Sequence, residues 1–468
     1  MKPSALLRLT AAAVLLTSAC GAPTETVAPV PEHQPAFRVE RGFLRDASGR
    51  ALLLRGVNLS GAHKHAPYFD FHQPPDYARV REAWGMNAVR LLVSWAAIEP
   101  APGVFDATYL DALELRMAWA KAAGLHVVLD MHQDVYGEGF SHGGGNGAPR
   151  WTCDAARYES FQPSTSQWFF NYLSPEVTYC YDHFWGSADL RAHYAEAWRR
   201  VAARLGGYDD TIVGFDPMNE PYWGSYPLTA FEADVLQPFH EEVVAVVRAE
   251  RPGWVAFLEP ASTRNLGIPT GLVPFSFGDV VYAPHSYDRD AESGKGFDAA
   301  RRAAVLANAA ALAGEAESLG AALWIGEYGG MPETPGIVDY MTAEYDGFAA
   351  AAAGSMYWEY GANGGYGILA ADGSEKAELL GALVRPWPER VAGDPESFAF
   401  DPATSTFTLR YKADPDVGAP TEIVVPERAY PSGYEVDCGG CATEGEAGRL
   451  MITRAPPGEV AVVTISPK

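Results

Sequence analysis

Short apolar segments alternate with helical segments along most of this 468-residue chain, and this alternation is the feature that most constrains its fold. Eight apolar segments have the length and composition of strands: Leu52–Leu59, Ala88–Val93, His126–His132, Ile212–Asn219, Val255–Glu259, Val280–His285, Leu323–Glu327 and Ser355–Tyr360. Helical patterns lie between them, at Tyr77–Trp84, Thr108–Ala123, Leu190–Leu205, Glu232–Glu250 and Ala299–Ser318. Eight strand-then-helix units favour a closed parallel sheet, so the sequence predicts an α/β fold, a (β/α)8 TIM barrel, over residues 36–385.

The pattern changes after residues 386–388, where helical periodicity ends. Short strand-like segments separated by Pro, Gly and Asp turns follow, at Phe398–Phe400, Thr406–Tyr411, Glu422–Val425, Tyr434–Val436, Leu450–Thr453 and Val460–Ile465. Several short strands at this spacing are typical of an all-β module. The sequence therefore predicts a small C-terminal β-sandwich over residues 386–468.

The N-terminus has the pattern of an export signal over residues 1–20. Lys2 and Arg8 precede an apolar run, Leu9–Leu16, that is too short to span a bilayer. The run ends at Cys20 in a segment similar to a bacterial lipobox, in which the cysteine would be lipidated, and ordinary cleavage near Ala19 or Ala22 is the alternative. Residues 21–35 read as a flexible tether. We expect an exported bacterial protein that is either secreted or lipid-anchored at the cell surface.

Net charge excludes several classes of partner. The formal charge of −24 argues against nucleic acid, because few positive charges are available to neutralise phosphates. It argues equally against electrostatic docking to an anionic membrane, so any lipid contact would have to be apolar.

The cysteines fit an oxidising compartment. Apart from Cys20, four of the five remain, and an even number permits pairing. Cys153 and Cys180 flank an irregular insertion, and we expect them to pair. Cys438-Gly-Gly-Cys441 is similar to a zinc half-site or a redox motif, but it lacks a second Cys-x-x-Cys and a nearby His, which favours a small structural disulfide.

About eighty residues separate the third and fourth predicted strands. Their first part, Val135–Gly186, has little periodicity and leaves from the carboxyl face of the barrel. A long connection of this kind is usually functional. Its aromatic residues could line a lipid groove that contacts a membrane or micelle, or form a local core closed by the Cys153–Cys180 disulfide, and both could be true. The residues concerned are Phe140, Trp151, Phe161, Trp168, Phe169, Phe170 and Trp185.

Two strand-end glutamates are the strongest candidates for chemistry. Glu220 follows Asn219 after the fourth predicted strand, and Glu327 ends the seventh. Barrel enzymes keep their reacting groups at the carboxyl ends of strands. Two carboxylates brought together there can protonate a glycosidic oxygen and attack the sugar, so the pair predicts a retaining glycosidase. The alternative is that both are ordinary strand-end carboxylates.

Other strand ends carry the residue types that a sugar site uses. They are Arg90, Asp130, His132, Asp134, His285, Tyr287 and Trp358. With the ends that carry Glu220 and Glu327, six of the eight strand ends form one constellation at the carboxyl face. Arg90 and His132 could instead be structural, and Trp358 could be core. Neither His132 with Asp134 nor His63 with His65 has a third ligand at recognisable spacing, so we predict no metal and no cofactor.

This constellation resembles glycoside hydrolase family 5 from Phe37 to about Arg385. The resemblance implies that Glu220 is the acid/base and Glu327 the nucleophile. It matches the family's arginine, histidine, His/Tyr pair and stacking tryptophan to a set of residues in this chain. They are Arg90, His132, His285, Tyr287 and Trp358.

Several segments are similar to the endoglycoceramidases of that family: Arg55–Ser60, Gly61–Lys64, Asp130–Asp134 and Trp358–Tyr360. The resemblance implies cleavage between the glycan and the ceramide of a glycosphingolipid, a glycolipid substrate, with the sugars held by Lys64, His132 and Asp134. Two alternatives remain open: a family 5 hydrolase of another β-glycoside, such as a steryl glucoside or a polysaccharide, and a non-catalytic surface lipoprotein that binds glycan or lipid.

Overall fold

A closed parallel barrel dominates the computed structural model, which describes residues 35–362, 365–455 and 460–468. The strands are β1 Phe37–Glu40, β2 Phe43–Asp46, β3 Ala51–Leu52, β4 Arg55–Leu59, β5 Ala88–Val93, β6 His126–Met131, β7 Ile212–Asp216, β8 Val255–Leu258, β9 Val280–Tyr282, β10 His285–Ser286, β11 Ala322–Tyr328, β12 Gly354–Tyr357, β13 Trp387–Val391, β14 Gly393–Asp401, β15 Thr406–Ala413, β16 Thr421–Val424, β17 Tyr434–Asp437, β18 Ala442–Glu446, β19 Arg449–Arg454 and β20 Val460–Pro467.

The helices surround that barrel. They are α1 Pro74–Glu82, α2 Trp95–Ile98, α3 Ala107–Ala122, α4 Ala155–Ser160, α5 Pro175–Gly186, α6 Ala188–Arg204, α7 Leu228–Phe231, α8 Gln237–Glu250, α9 Arg289–Glu292, α10 Arg302–Leu319, α11 Ile337–Ala350 and α12 Ala377–Leu383. Short 3-10 helices lie at Gly61–Lys64, Glu138–Gly143, Arg150–Thr152, Trp168–Leu173, Gly206–Tyr208, Ser262–Leu266 and Ala299–Arg301, and a π-helical turn at Glu232–Leu236 joins α7 to α8.

The barrel runs in the order β4-β5-β6-β7-β8-β9, continues through β11 and β12, and closes where β12 pairs with β4. Strand β10 continues β9 along the edge of β11, so β9 and β10 together form one barrel position. Every residue of β5 is buried, as expected of a parallel strand covered by helices on one face and by the barrel interior on the other. The predicted TIM barrel is confirmed.

One predicted strand, Leu52–Leu59, is wrong as a single element. Leu52 belongs to β3 and pairs antiparallel with Arg390 of β13, whereas Arg55 begins barrel strand β4. The run was misleading because it is apolar and buried throughout, although its two halves serve different sheets. Residues 37–52, which the sequence assigned to the barrel, therefore complete a sheet of the C-terminal strands.

The C-terminal strands form two antiparallel sheets. One has the order β1-β2-β3-β13-β16-β19-β18, and the other has the order β14-β15-β20-β17. The predicted all-β character of this region is confirmed, but the sequence missed β13 and β18. Strand β13 contains Trp387 and Pro388, which the sequence placed at a domain boundary because proline is rare inside strands.

The insertion Val135–Gly186 is not structureless, since short helices and α5 occupy much of it. Both predicted disulfides are present: Cys153–Cys180 joins two parts of the insertion, and Cys438–Cys441 closes a turn of the C-terminal strands.

Six of the seven aromatic residues named in the insertion divide into two groups, and the seventh, Trp151, is half-buried against the barrel core. Phe140, Phe161 and Trp185 are buried and form the local core, so they cannot contact a lipid surface. In contrast, 41–45% of the surface of Trp168, Phe169 and Phe170 is exposed.

Within the described ranges, no helix is long and apolar enough to cross a bilayer. The predicted export signal, the lipidation at Cys20 and most of the tether fall on residues 1–34, outside the described residues.

A buried carboxylate connects the barrel to the seven-stranded sheet. Glu389 of β13 is fully buried, and its two oxygens accept hydrogen bonds from Arg81 of α1 at 2.8 and 3.1 Å. Arg390 and Arg449 donate to the same carboxylate at 2.5 and 2.9 Å. Three guanidinium groups from a helix and two strands thus converge on one negative charge.

We predict that Glu389→Gln lowers the free energy of unfolding by about 3 kcal/mol, because removing one partner leaves buried charges uncompensated. Urea denaturation measures the change. Glu396→Gln is the matched control, since Glu396 pairs with Arg410 at 3.5 Å on the surface and its loss should cost under about 0.5 kcal/mol. Equal shifts in the two variants would contradict this account of Glu389.

Candidate active site

One buried arginine organises the carboxyl end of the barrel. Arg90 is the central residue of β5 and has no exposed surface. Its Nη1 and Nη2 atoms lie between 2.7 and 3.2 Å from six side-chain oxygens contributed by neighbouring strands and the loops that follow them. The partners are Asn58, Asp130, Asp216, Asn219, Glu259 and Glu327.

The carboxylates around Arg90 do not all carry charge. Burial, together with the negative charge of Glu259, raises the pKa of Asp216 well above its ordinary value. Burial alone would raise the pKa of Glu259 too, but the positive charges of His285 and Arg90 lower it to about 2. Asp216 therefore holds a proton while Glu259 is ionised, which reduces the negative charge that Arg90 has to balance.

Glu327 lies on β11, and its carboxylate points into the depression at the carboxyl end of the barrel, called the bowl below. Oε1 accepts a hydrogen bond from Arg90 Nη1 at 2.7 Å, and Oε2 accepts one from the Tyr287 hydroxyl at 2.9 Å. Burial raises the pKa of Glu327, and the positive charges of His285 and Arg90 act against that rise. Both oxygens are thus fixed by donors, one from β5 and one from the residue that follows β10.

Glu220 is held in an unusual backbone conformation. It follows β7 with φ of 41°, in the left-handed region that few residues other than glycine adopt. Its backbone N–H donates to Glu259 Oε2 at 2.9 Å, which helps to hold this conformation. Asn265 Nδ2 at 2.6 Å and His285 Nδ1 at 2.8 Å both contact Glu220 Oε1. These contacts place the Glu220 carboxylate beside His285, whose Nδ1 atom also lies 3.5 Å from Glu327 Oε2.

The two glutamates are close. One oxygen of Glu220, one oxygen of Glu327 and a ring nitrogen of His285 all lie within 4.8 Å of one another. Carboxyl groups of retaining glycosidases lie roughly 5–5.5 Å apart, and those of inverting enzymes roughly 6.5–9.5 Å apart. The 4.8 Å limit refers to one oxygen of each group, and it places the two carboxylates near enough to act on a single anomeric carbon.

His285 supplies positive charge between the two glutamates. Burial opposes its ionisation, but the surrounding Glu259 and Glu327 charges raise its pKa well above the ordinary value. The same three ligand atoms of Glu220, His285 and Glu327 could in principle hold a metal ion. A protonated His285 and the Arg90 guanidinium next to Glu327 would repel a cation there, so the charges disfavour that use.

A second group of predicted residues forms one wall of the bowl. Asp134 Oδ2 accepts from Lys64 Nζ at 2.6 Å and from Asn146 Nδ2 at 2.8 Å, and it lies 3.3 Å from His132 Nε2. The ring of Trp358 stacks on His132 with centroids 5.4 Å apart, and Lys64 Nζ lies 4.5 Å from the Trp358 centroid. These contacts hold a flat ring, a cation and an acceptor side by side.

The charges of this wall reinforce one another. Burial alone would raise the pKa of Asp134, but the positive charges of Lys64 and His132 lower it strongly. His132 in turn keeps its pKa above the ordinary value despite burial and the repulsion of Lys64, because Asp130 and Asp134 flank it.

All ten residues predicted for catalysis and sugar binding thus fall into two adjoining groups at one end of the barrel. The sequence analysis missed Asn265, Glu292 and Tyr366. Asn265 lies in the short 3-10 helix Ser262–Leu266 after β8, where neither periodicity nor a strand end marks it. Glu292 ends the short helix α9 and Tyr366 lies in a turn after β12, and both come near the two glutamates only in the folded chain.

Glu292 is the third carboxylate near the pair. It ends the short helix α9 and is half-buried. Burial, followed by the negative charges of Glu220 and Glu327, raises its pKa from 4.5 to about 7. It is therefore uncharged in the folded protein under conditions that ionise it in the unfolded chain.

We predict that Glu292→Gln removes a pH-dependent loss of stability. Because the folded state keeps the proton longer, the wild-type free energy of unfolding should fall between about pH 4.5 and about pH 7. Relative to the wild type, the variant should gain roughly 2 kcal/mol over that interval, allowing for partial exposure. Denaturant unfolding at both ends of the range measures it. Glu159→Gln, at an exposed site, is the control and should leave the pH dependence of the unfolding free energy unchanged. If Glu292→Gln also leaves it unchanged, Glu292 does not have a raised pKa in the folded protein.

Comparison with known proteins identifies the family. Residues 46–364 match the model of the cellulase family, glycosyl hydrolase family 5, and residues 385–465 match the glycoside hydrolase family 5 C-terminal domain. The chain is 28% identical to endoglycoceramidase I of Rhodococcus hoagii over 88% of this chain and 84% of that protein.

Solved structures give the same result. The chain is 32% identical to endo-glycoceramidase II from Rhodococcus sp. in its ganglioside GM3 complex, with a TM-score of 0.81, over 91% of this chain and 99% of that one. The lactosyl-enzyme intermediate of the same protein matches with 32% identity and a TM-score of 0.80 over the same shares. With its barrel, its C-terminal sheets and its family matches, this chain belongs to glycoside hydrolase family 5 and is a glycoside hydrolase of the endoglycoceramidase-like kind.

Proposed function

We propose that the protein hydrolyses the bond between the oligosaccharide and the ceramide of glycosphingolipids, with Glu220 as acid/base and Glu327 as nucleophile. The observation that carries this proposal is the pair of carboxylate oxygens within 4.8 Å of each other. The substrate class is supported by the likeness to an endo-glycoceramidase II bound to ganglioside GM3.

In the first step, a carboxylate oxygen of Glu327 attacks the anomeric carbon while Glu220 gives its proton to the departing ceramide oxygen. Arg90 and the Tyr287 hydroxyl stabilise the ionised form of Glu327 before it attacks. Asn265 and His285 both contact Oε1 of Glu220, which leaves Oε2 as the oxygen that can face the leaving group.

In the second step, Glu220 takes a proton from water, and the resulting hydroxyl attacks the same carbon to release the sugar and Glu327. Two displacements at one carbon retain its configuration. The likeness to a lactosyl-enzyme intermediate supports a covalent step of this kind. Asn219, whose side chain contacts Arg90 at 3.0 Å, is placed to bind the sugar 2-hydroxyl.

The wall beside Glu327 suits the sugar. Asp134 accepts hydrogen bonds, Lys64 donates them, and the flat Trp358 ring offers an apolar face to a pyranose. Because these groups are already held by mutual contacts, little ordering is needed when the sugar binds.

The leaving-group side carries exposed apolar residues. Asn265 contacts Glu220, and the adjacent Leu266 and Ile268 are 52% and 40% exposed. Tyr222, two residues after Glu220, packs against Tyr172 with ring centroids 5.2 Å apart. Tyr172 lies on a 3-10 helix that exposes four further apolar side chains: Trp168, Phe169, Phe170 and Leu173.

These two apolar surfaces flank the proposed acid, where a ceramide would leave. Exposed aromatic groups on a strongly acidic protein can contact acyl chains or a micelle without electrostatic attraction. We therefore assign the membrane or micelle contact to the exposed helix Trp168–Leu173.

Export is part of the proposal. The Cys153–Cys180 disulfide is typical of an oxidising compartment. Lipidation of Cys20 would anchor the protein at the cell surface, and cleavage near Ala19 or Ala22 would release it; mass spectrometry of the mature N-terminus distinguishes the two.

A family 5 hydrolase of another β-glycoside is the second candidate, and the cellulase description of the matching family model favours it. A release assay on mixed glycosphingolipids, with cellulose oligomers in parallel, separates the two. Faster release from the oligomers would reject the glycolipid substrate while retaining the glycosidase.

Substitution of the two glutamates should separate their roles. We predict that Glu327→Gly abolishes hydrolysis and that azide restores turnover with a glycosyl azide of inverted configuration. Glu220→Ala should lose roughly 10²–10⁴-fold on natural glycolipid and far less on an activated aryl glycoside, because good leaving groups need no protonation. With azide it should give the retained product. Nuclear magnetic resonance of the anomeric proton identifies each product.

Glu344→Gln is the matched control for that experiment. Glu344 is buried, accepts a hydrogen bond from Ser286 at 3.0 Å, and has its pKa raised by burial to about 8, so glutamine resembles its protonated form. It should keep near wild-type turnover. If Glu220 and Glu327 variants did so as well, the carboxylate pair would be misassigned.

The exposed aromatic helix should matter only for lipid substrates. We predict that Trp168→Ala and Phe169→Ala each lower kcat/KM on intact glycolipid about ten- to a hundredfold, as expected for roughly 1.5–3 kcal/mol per buried side chain. An aryl glycoside of the same glycan should be nearly unaffected. Leu115→Ala, at a 49% exposed site on α3, is the control. Equal losses on both substrates would mean that the helix supports the barrel instead.

A further inference from the structure

Two buried arginines line a small cavity between the barrel and the C-terminal strands. Arg55 begins β4, so it lies at the amino end of the barrel, opposite the active site. Arg385 lies between α12 and β13. Both are 5% exposed, and both line a cavity of about 20 Å³ together with Tyr345 and Phe400.

Neither arginine is neutralised by the protein. Among the residues that the structure describes, no carboxylate oxygen lies within 4.0 Å of either guanidinium group. The cavity also borders Asp346, but that carboxylate contacts Arg302 at 2.5 Å. By contrast, the buried guanidinium groups of Arg45 and Arg90 each contact at least one carboxylate.

The hydrogen bonds that the two arginines do make are with neutral groups. Arg55 Nη2 donates to the Leu383 carbonyl at 3.2 Å, and Arg385 Nη2 donates to the Thr342 hydroxyl at 3.2 Å. The Nε atom of each is buried without a hydrogen-bond partner in the described chain. Burial, and then the positive charge of Arg55, lowers the pKa of Arg385 to about 10.

Aromatic rings offset part of this charge. The guanidinium carbons of Arg55 and Arg385 lie 3.8 and 5.1 Å from the centroid of the same Tyr345 ring. Trp387 lies 5.8 Å from Arg55, and Phe400 lies 5.7 Å from Arg385. Cation–π contacts offset only a small part of the cost of burying two like charges together.

We propose that this cavity binds one small monovalent anion of the halide class, chloride in the natural setting, between Arg55 and Arg385. A volume of about 20 Å³ accommodates one particle of about the size of a water molecule. Water could satisfy hydrogen bonds there but could not neutralise the charges. Phosphate and carboxylate ligands are too large for this volume.

The site would act on stability rather than on chemistry. Its residues come from β4, α11, β14 and the segment before β13, so an anion would connect the barrel to the C-terminal sheets. The Tyr345 hydroxyl also lies 2.5 Å from the hydroxyl of Tyr328, the residue after Glu327. An anion that fixes Tyr345 would therefore also support the end of β11.

The first test measures thermal unfolding of the wild-type protein at constant ionic strength while chloride replaces gluconate, which is too large for the cavity. We predict a saturable rise in Tm of roughly 2 °C with chloride. Bromide should act similarly. A Tm that is the same in chloride and gluconate would overturn the proposal.

Variants locate the effect. Arg385→Gln should lose the dependence on chloride, whereas Arg410→Gln, which removes an exposed guanidinium 49% accessible to solvent, should keep it. If Arg385→Gln keeps the full chloride dependence, the site is elsewhere and the proposal is wrong.

Crystals of the wild-type protein grown in bromide give a test that needs no variant, in case Arg385→Gln does not fold. We expect an anomalous peak between the two guanidinium groups. Density for water alone, or a bromide peak without any halide effect on Tm, would show that the cavity is not an anion site in solution.

Discussion

The contact between Arg90 and its ring of acidic and amide side chains is the interaction on which the active end of the barrel depends. A single guanidinium reaches oxygens from the ends of several strands, which no other side chain type can do with so many donors in a fixed plane. Without it, the carboxylates of these strands would repel one another in a buried space. Two further features reduce the net negative charge of this group: Asp216 keeps its proton, and His285 is positively charged.

The contacts around Arg90 hold the two reacting glutamates in place before substrate binds. Glu259 contacts Arg90 with one oxygen and the backbone N–H of Glu220 with the other. The unusual backbone of Glu220 is thereby linked to the same arginine that holds Glu327. Preorganised donors and charges of this kind require little rearrangement during the reaction. Such preorganisation is usually the largest source of transition-state stabilisation in enzymes. Part of the folding free energy is therefore used to hold these buried charges and the Glu220 backbone in fixed positions at one end of the barrel.

Much of this arrangement could be predicted from sequence, because a parallel barrel places the carboxyl ends of its strands together. Once Glu220, Glu327 and Tyr287 were assigned to strand ends, their proximity followed from the fold. Contributions from loops could not be predicted in that way. Asn265 and Glu292 lie in short helices within the connections between strands, and the path of those connections depends on packing. The insertion was ambiguous for a similar reason, since buried Phe140 and exposed Phe169 have the same residue type but opposite surroundings.

The pairing of β3 with β13 has a consequence for how the chain folds. Strands β1–β3 precede the barrel in the chain, yet β3 hydrogen-bonds to β13, which follows the barrel, so this sheet cannot be completed until β13 has been synthesised. Contacts between such distant segments raise contact order and slow folding. Until β13 is synthesised, β3 keeps an open strand edge, which makes the nascent chain prone to association. A single cut between the barrel and β13 would therefore leave β1–β3 attached to the barrel and deprive β13 of its β3 partner.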